Sequence, residues 1–202
     1  MFSGIVKTTG KVKELLEKDG ILEIAITSND LLNELKIGDS VAIDGCCQTV
    51  VEVTGDSFKV QAVNETLNKT NFRSYMKDTV VNLEPSLKVN DKLDGHLVSG
   101  HVDSVGEVVN IQNKGENYVV TVNHPPSLSS FIAPKGSIAV NGISLTVVDS
   151  AGDSFSFSLI PYTKENTNLK DVHVGMKVNL EVDLVSRYLV NYLEKSKQLV
   201  AK

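Results

Sequence analysis

The sequence predicts an all-β protein built from two similar halves of about 97 residues, followed by one helix. Three observations predict this. The segment Ser40–Val51 recurs as Ser137–Val148, with six of twelve positions identical at an offset of 97. Apolar residues alternate in short runs separated by turn signals, the pattern of half-buried strands in a barrel or sandwich. Only the last segment has helical spacing.

The repeat extends beyond its clearest stretch. Thr66, Thr70 and Asn71 map onto Thr163, Thr167 and Asn168, and Val81-Asn82-Leu83-Glu84 onto Val178-Asn179-Leu180-Glu181, again at 97. Ser3-Gly4-Ile5-Val6 matches Ser99-Gly100-His101-Val102 at 96, so one indel separates the opening motif from the rest. Matches in order at nearly one spacing mean duplication.

Taken in order, Lys18-Asp19-Gly20 is a hairpin-type turn that leads into an alternating strand from Ile21 to Thr27. Leu31 to Leu35 and Ser127 to Phe131 have the length of short helices. Thr54-Gly55-Asp56 and Ala151-Gly152-Asp153 punctuate equivalent hairpins. Gly45 and Gly142 suit a turn or a close approach of backbone to ligand. Thr49, Thr146, Thr66 and Thr163 place hydroxyls on or near strand ends. Each half then reads as a small closed β unit without exposed edges. Val185, Leu189, Tyr192 and Leu193 form an apolar stripe with no partner in the first half. That stripe packs either on its own barrel or on other subunits. The expected units are 1–97, 98–186 and a helix at 187–202.

The chain carries a formal net charge of -5, which argues against a broad nucleic-acid footprint. No signal peptide and no membrane-spanning run is apparent. Cys46 and Cys47 are adjacent, so they point to opposite faces of a strand and read as free thiols of a reducing cytoplasm. His96 and His101 lie five apart, but nothing completes a tetrahedral metal set. No phosphate-binding loop, dinucleotide fingerprint or serine-hydrolase elbow occurs.

The differences between the halves carry the chemistry. Ile5 becomes His101, Cys46-Cys47 becomes Ile143-Ser144, Ser86 becomes Asp183, and Asp44 becomes Asn141. One half keeps thiols; the other gains an imidazole and a carboxylate. Such groups move protons or attack carbon near neutral pH. Each also has a plain structural reading: a satisfied histidine, a core cysteine, a solvated strand-end acid. Lys135 in its loop reads as a surface lysine.

Together Met1-Phe2-Ser3-Gly4-Ile5-Val6, Asp44-Gly45-Cys46-Cys47-Gln48-Thr49-Val50, Gly95-His96-Leu97-Val98-Ser99-Gly100-His101-Val102-Asp103 and Asn141-Gly142-Ile143-Ser144-Leu145-Thr146-Val147 resemble riboflavin synthase of the alpha-chain type. The resemblance covers nearly the whole chain. It implies two tandem six-stranded Greek-key β-barrels and a C-terminal helix that assembles a homotrimer. It further implies association with lumazine synthase, and dismutation of two molecules of 6,7-dimethyl-8-ribityllumazine without cofactor or metal. The family's functional residues fall on Ser40, Cys47, His101 and Asp183. The implied substrate pockets are lined in one half by Gly4, Ile5, Val6, Cys47, Gln48, Thr49, Gln61, Ala62, Val63, Asn64, Glu65 and Thr66. In the other they are Gly100, His101, Val102, Lys135, Ser144, Leu145, Thr146, Ser158, Leu159, Ile160, Pro161, Tyr162 and Thr163. Gln48 stands where the family usually has leucine, which puts a polar group at the expected pocket lip, and Ser3 where threonine is common. Antenna proteins of the same fold hold the chromophore without chemistry but lack the paired cysteine and the Ser-Gly-His segment. Cys47 and His101 therefore favour the enzyme.

Overall fold

The computed structural model describes residues 1–200, with side chains through residue 197. The first half contains β1 (Thr8–Lys18), β2 (Ile21–Thr27), β3 (Ser40–Ile43), β4 (Cys46–Val53), β5 (Phe58–Ala62), α1 (Asn64–Lys69) and β6 (Val80–Pro85). The second repeats the series as β7 (Ser104–Lys114), β8 (Asn117–Asn123), β9 (Ser137–Val140), β10 (Ile143–Ala151), β11 (Ser154–Leu159), α2 (Pro161–Glu165) and β12 (Lys177–Val182), and α3 (Leu184–Val200) ends the chain. Each half is a closed six-stranded antiparallel barrel, β1-β2-β5-β4-β3-β6 and its counterpart β7-β8-β11-β10-β9-β12. The duplication holds even for irregularities. Bulges fall at Val12/Glu14 and Val50/Glu52 in one barrel and at Val108/Asn110 and Val147/Asp149 in the other, where they tighten the twist that closure needs.

Alternation explains the two cores. Ile24, Ile26, Val41, Ile43, Val50, Phe58 and Val60 face into the first barrel, and Val120, Val122, Ile138, Val140, Val147, Phe155 and Phe157 into the second. Some sequence expectations change here. Leu31 to Leu35 forms turns rather than a helix, and the second short helix is a 3-10 turn over Pro126–Phe131. Thr66 and Thr163 lie within α1 and α2, not at strand ends. The helix α3 begins at Leu184 and rests against the Pro126–Phe131 turn. Residues 201–202 of the expected C-terminal segment lie outside the described residues.

The halves meet across a pseudo-twofold axis. Phe2 pairs with Val98, its own counterpart, with N–H to O distances of 2.8 and 3.1 Å. The backbones of Gly45 and Gly142 lie directly against each other. Buried amides then cross reciprocally. The N–H of Asn71 donates to Asn179 Oδ1 at 2.8 Å, and that of Asn168 to Asn82 Oδ1 at 2.7 Å. Asn82 Nδ2 donates to the Asn141 carbonyl and Asn179 Nδ2 to the Asp44 carbonyl, both at 2.9 Å. Satisfied buried polar groups of this kind fix one relative placement of the barrels, because any shift strands a donor.

Asp44 breaks that symmetry. Its carboxylate accepts from Tyr75 Oη at 2.6 Å, Asn82 N at 2.7 Å and Asn168 Nδ2 at 2.9 Å. Burial raises its pKa from 3.8 to about 7, against the lowering effect of the Tyr75 and Asn82 bonds. For an acid shifted upward, the fold favours the protonated form. Its contribution to stability is therefore full below about pH 4, declines as the pH rises to about 7, and is absent above that. Asn141 shows that an amide fits the equivalent site, where its Oδ1 accepts from Asn179 N at 2.8 Å. Asp44→Asn is thus expected to raise the melting temperature at pH 8, by a free energy on the order of 1–3 kcal/mol. The gap should narrow on acidification toward pH 4; thermal melts across that range check it.

Candidate active site

Two clefts occupy equivalent positions in the halves. The first, of about 290 Å³, is lined by Cys46, Cys47, Glu65, Thr66, Lys69, Thr70, Gly100, His101, Val102 and Asp103. The second, of about 880 Å³, includes Gly4, Ile5, Val6, Ile143, Ser144, Tyr162, Thr163, Asn166 and Thr167 among its lining. They share no lining residue. The first is made by the first barrel and the crossover at Gly100–Asp103; the second is made by the second barrel, the crossover at Gly4–Lys7 and, from the first barrel itself, Thr8, Thr9, Asp30 and Val80. The segment at Gly4–Val6 precedes the first barrel yet lies on the second; the segment at Gly100–Val102 precedes the second barrel yet lies on the first.

The backbone explains the exchange. The Ser144 N–H donates to the Gly4 carbonyl at 2.7 Å, and the Cys47 N–H to the Gly100 carbonyl at 2.8 Å. Both glycines have positive φ, +73° and +81°, and a Cβ on either would fall 2.7 Å from Ser144 Cβ or 2.5 Å from Cys47 Cβ. Only glycine permits that contact. The crossovers are tied back by buried carboxylates. Glu84 accepts from Ser3 N at 2.7 Å and Gly4 N at 3.1 Å, and Glu181 from Ser99 N at 2.7 Å and Gly100 N at 2.9 Å. Burial pushes both carboxyls above the usual range, while the N–H groups they accept from pull them back.

In the first cleft Cys47 is half-buried and His101 exposed. Strand alternation separates the thiols: Cys46 turns into the barrel, where burial pushes its pKa up to about 12, and Cys47 turns out. Cys46 is therefore a packed thiol with no thiolate character at neutral pH. Ser40 begins β3 opposite Thr49, with Ala42 opposite Cys47. By strand periodicity Ser40, Thr49 and Cys47 stand on one outer face. Glu65 and Thr66 enter from the first turns of α1. The cleft thus gathers the Cys47 thiol, the His101 imidazole, the carboxylates of Glu65 and Asp103 and the hydroxyls of Thr66 and Thr70, while Ser40 and Thr49 lie outside its lining. The second cleft has Ser144 for Cys47, Ile5 for His101 and Tyr162 for Glu65.

Other sequence candidates lie elsewhere. Gln48 does not stand at a pocket lip: it faces the barrel interior, 6% exposed, and its Nε2 donates to the Cys47 carbonyl at 2.7 Å. Leu145, Leu159 and Ala62 are likewise buried in the barrels. Gln61 is exposed and donates to Glu23, and Val63 and Asn64 are exposed at the start of α1. Thr146, Ser158, Ile160 and Pro161 are exposed beside the second cleft's barrel strands without lining it. Lys135 is exposed at φ +67°, where the first half has Gly38. Asp183 lines neither cleft; its Oδ1 accepts from Val185 N at 2.7 Å and caps the start of α3.

A further histidine borders the second cleft. His96 Nδ1 lies 2.7 Å from Ser144 Oγ, at the edge of the second cleft. Burial lowers its pKa, partly opposed by the charge of Asp183. In the sequence only its spacing from His101 marks it, and that spacing points to a metal rather than to Ser144. Among the described residues, no group of three metal-ligating side chains occurs, and no helix is long and apolar enough to cross a membrane.

Comparison with known proteins accords with this arrangement. The lumazine binding domain matches twice, over residues 3–86 and 99–183, the two halves with their crossovers. The riboflavin synthase of Photobacterium phosphoreum is 37% identical over 194 residues, covering 96% of this chain and 89% of that one. That of Bacillus subtilis is 34% identical, covering 98% and 92%, and that of Mycobacterium bovis 39% identical, covering 94% and 96%. A crystal structure of LumP complexed with riboflavin superposes with a TM-score of 0.84 at 27% identity, covering 90% of this chain and 99% of that one. With two lumazine-binding domains, and with several curated relatives aligned along nearly its full length, the chain belongs to the riboflavin synthase family.

Proposed function

We propose that the chain dismutates two molecules of 6,7-dimethyl-8-ribityllumazine, transferring a four-carbon unit from one to the other. The products are riboflavin and 5-amino-6-ribitylamino-pyrimidinedione. One observation carries this reading: two clefts at equivalent positions offer unlike groups, Cys47 and His101 against Ser144 and Ile5. A reaction between two identical molecules needs two similar sites that treat them differently. LumP holds the same lumazine and riboflavin on this fold, which supports both ligands here.

In this reading His101, with Ser40, assists proton transfer at the acidic C7 methyl. Cys47 polarises or adds to the acceptor lumazine, and Asp183 orients it or relays protons. Holding both molecules face to face removes up to roughly 7–11 kcal/mol of bimolecular entropy cost. Within one chain Asp183 stands apart from the Cys47–His101 cleft. The reading therefore joins one chain's first cleft to another chain's second, in a homotrimer assembled through α3. Exposed Val185, Tyr188, Leu189, Tyr192 and Leu193 support that assembly. The functional units are 1–97, 98–186 and 187–202, in a cytoplasmic enzyme, which suits its two free thiols.

Calorimetric titration with riboflavin tests the two-cleft arrangement. Two sites per chain of unequal affinity are expected; a single site per chain would contradict it.

A further inference from the structure

His101 sits on an irregular stretch between Gly100 and the start of β7, where no strand ladder holds it. Its neighbours must therefore fix it. The duplicated crossover supplies an internal comparison. The Lys7 N–H donates to the Leu83 carbonyl, and the Asp103 N–H to the Leu180 carbonyl, each at 2.9 Å. Glu84 and Glu181 hold the two glycines alike. Up to this point the Ile5 and His101 segments are anchored in the same way.

Their side chains differ. The Ser3 hydroxyl donates to Glu84 Oε1 at 2.8 Å and accepts from the Ile5 N–H at 3.3 Å, bonds the Ser99 side chain does not repeat. Asp103 carries a carboxylate where the first crossover has Lys7. Arg187 Nη1 donates to Asp103 Oδ1 at 2.7 Å and Nη2 to Oδ2 at 2.8 Å, a two-pronged pair. The Val182 N–H adds a third bond to Oδ2 at 2.9 Å. The Asp103 side chain is only 15% exposed, so water screens the pair weakly. Paired charge-assisted bonds of this geometry fix direction as well as distance. Arg187 belongs to the first turn of α3, where its N–H donates to the carbonyl of Asp183 at 3.1 Å. One helical turn thus holds Asp183 on one side and the His101 segment on the other. The first half has Asn90 at the matching position and no such clamp.

We propose that the Asp103–Arg187 pair is a positioning device for His101, tying the imidazole's placement opposite Cys47 to the seating of α3. An apolar residue such as Ile5 needs only to pack, whereas a proton-transferring imidazole must be held to within a fraction of an ångström. This rests on the reading of the first cleft as a reacting site.

The test compares Arg187→Ala, Arg187→Lys, Asp103→Asn and the double variant Asp103→Asn/Arg187→Ala with the parent. Ser186→Ala serves as control, since it loosens the same helix turn at the Ser186 Oγ bond to the Asp183 carbonyl without touching the clamp. Each is followed by kcat, KM, thermal melt and solution mass, and by the His101 ring resonances in NMR. Arg187→Ala and Asp103→Asn are each expected to lower kcat ~10–100-fold with KM little changed. The double variant should be no worse than either single one, because both remove the same pair. Arg187→Lys, which offers one point charge instead of a fork, should fall between parent and Ala. The His101 resonances should move in Arg187→Ala while those of His124 and His173 stay.

A folded Arg187→Ala within about twofold of the parent kcat overturns the proposal. So does a loss that tracks solution mass and appears equally in Ser186→Ala, which would make the pair merely structural. Should Arg187→Ala fail to fold, Arg187→Lys decides: parental kcat overturns the proposal, and a several-fold loss at unchanged KM and mass supports it. If the parent makes no riboflavin, the functional reading falls. The resonances then judge the clamp alone, for it if they move and against it if they do not.

Discussion

Cys47→Ser and His101→Ala are each expected to lower turnover of 6,7-dimethyl-8-ribityllumazine by ~10²-fold or more while leaving ligand binding largely intact. Both side chains line the smaller cleft; Cys47 also packs against the Phe2, Ala42, Val98 and Ala139 cluster, where serine keeps nearly the same size. Cys47 is half-buried on the outer face of β4 and His101 is exposed, so their replacement opens no core cavity. Removing a group that acts only as the reaction proceeds lowers kcat and kcat/KM together. Ile5→Ala, at the matching position of the other crossover, should instead raise KM with little change in kcat. Steady-state kinetics with thermal melts checks all three. A loss confined to KM in the Cys47 and His101 variants would make them binding groups.

Glu181→Ala should produce the second large effect, on stability and turnover at once. Its carboxylate accepts from the N–H groups of Ser99 and Gly100, and its truncation strands both. Each stranded buried donor costs about 1–3 kcal/mol, so for two a loss of roughly 2–6 kcal/mol is expected. The freed segment carries His101, and an ångström of misplacement costs ~10²-fold in rate. Glu84→Ala releases Ser3 and Gly4 by the same geometry but leaves Cys47 and His101 in place. Its penalty should appear mainly in stability and in KM. The contrast between two glutamates at equivalent places in a duplicated fold is checked by kinetics and melts run side by side.

Much of this was legible in the sequence. The offset of 97 lays out two equivalent barrels, and strand periodicity alone separates Cys46 from Cys47. What periodicity does not carry is which half a segment touches. Ser3–Val6 and Ser99–Val102 aligned as a repeat, yet nothing in their residues says that each crosses onto the opposite barrel. The same holds for Asn71 and Asn168. Their match was visible; their reciprocal bonds to Asn179 and Asn82 were not.

Gln48 shows a local override. Its polarity suggested a pocket lip, but its place between Cys46 and Val50 turns it inward, where the Cys47 carbonyl satisfies its amide. The helices at Asn64–Lys69 and Pro161–Glu165 are too short to show a helical period, so Thr66 and Thr163 read as strand ends. The Asp103–Arg187 pair is not legible in the sequence, because partners 84 residues apart leave no spacing signal.

The most direct test of two unlike clefts working on one substrate is to incubate the purified chain with 6,7-dimethyl-8-ribityllumazine alone and follow absorbance. Riboflavin should appear with no added cofactor, one molecule for every two lumazines consumed. Lumazine bound at both clefts but left unconverted would contradict it.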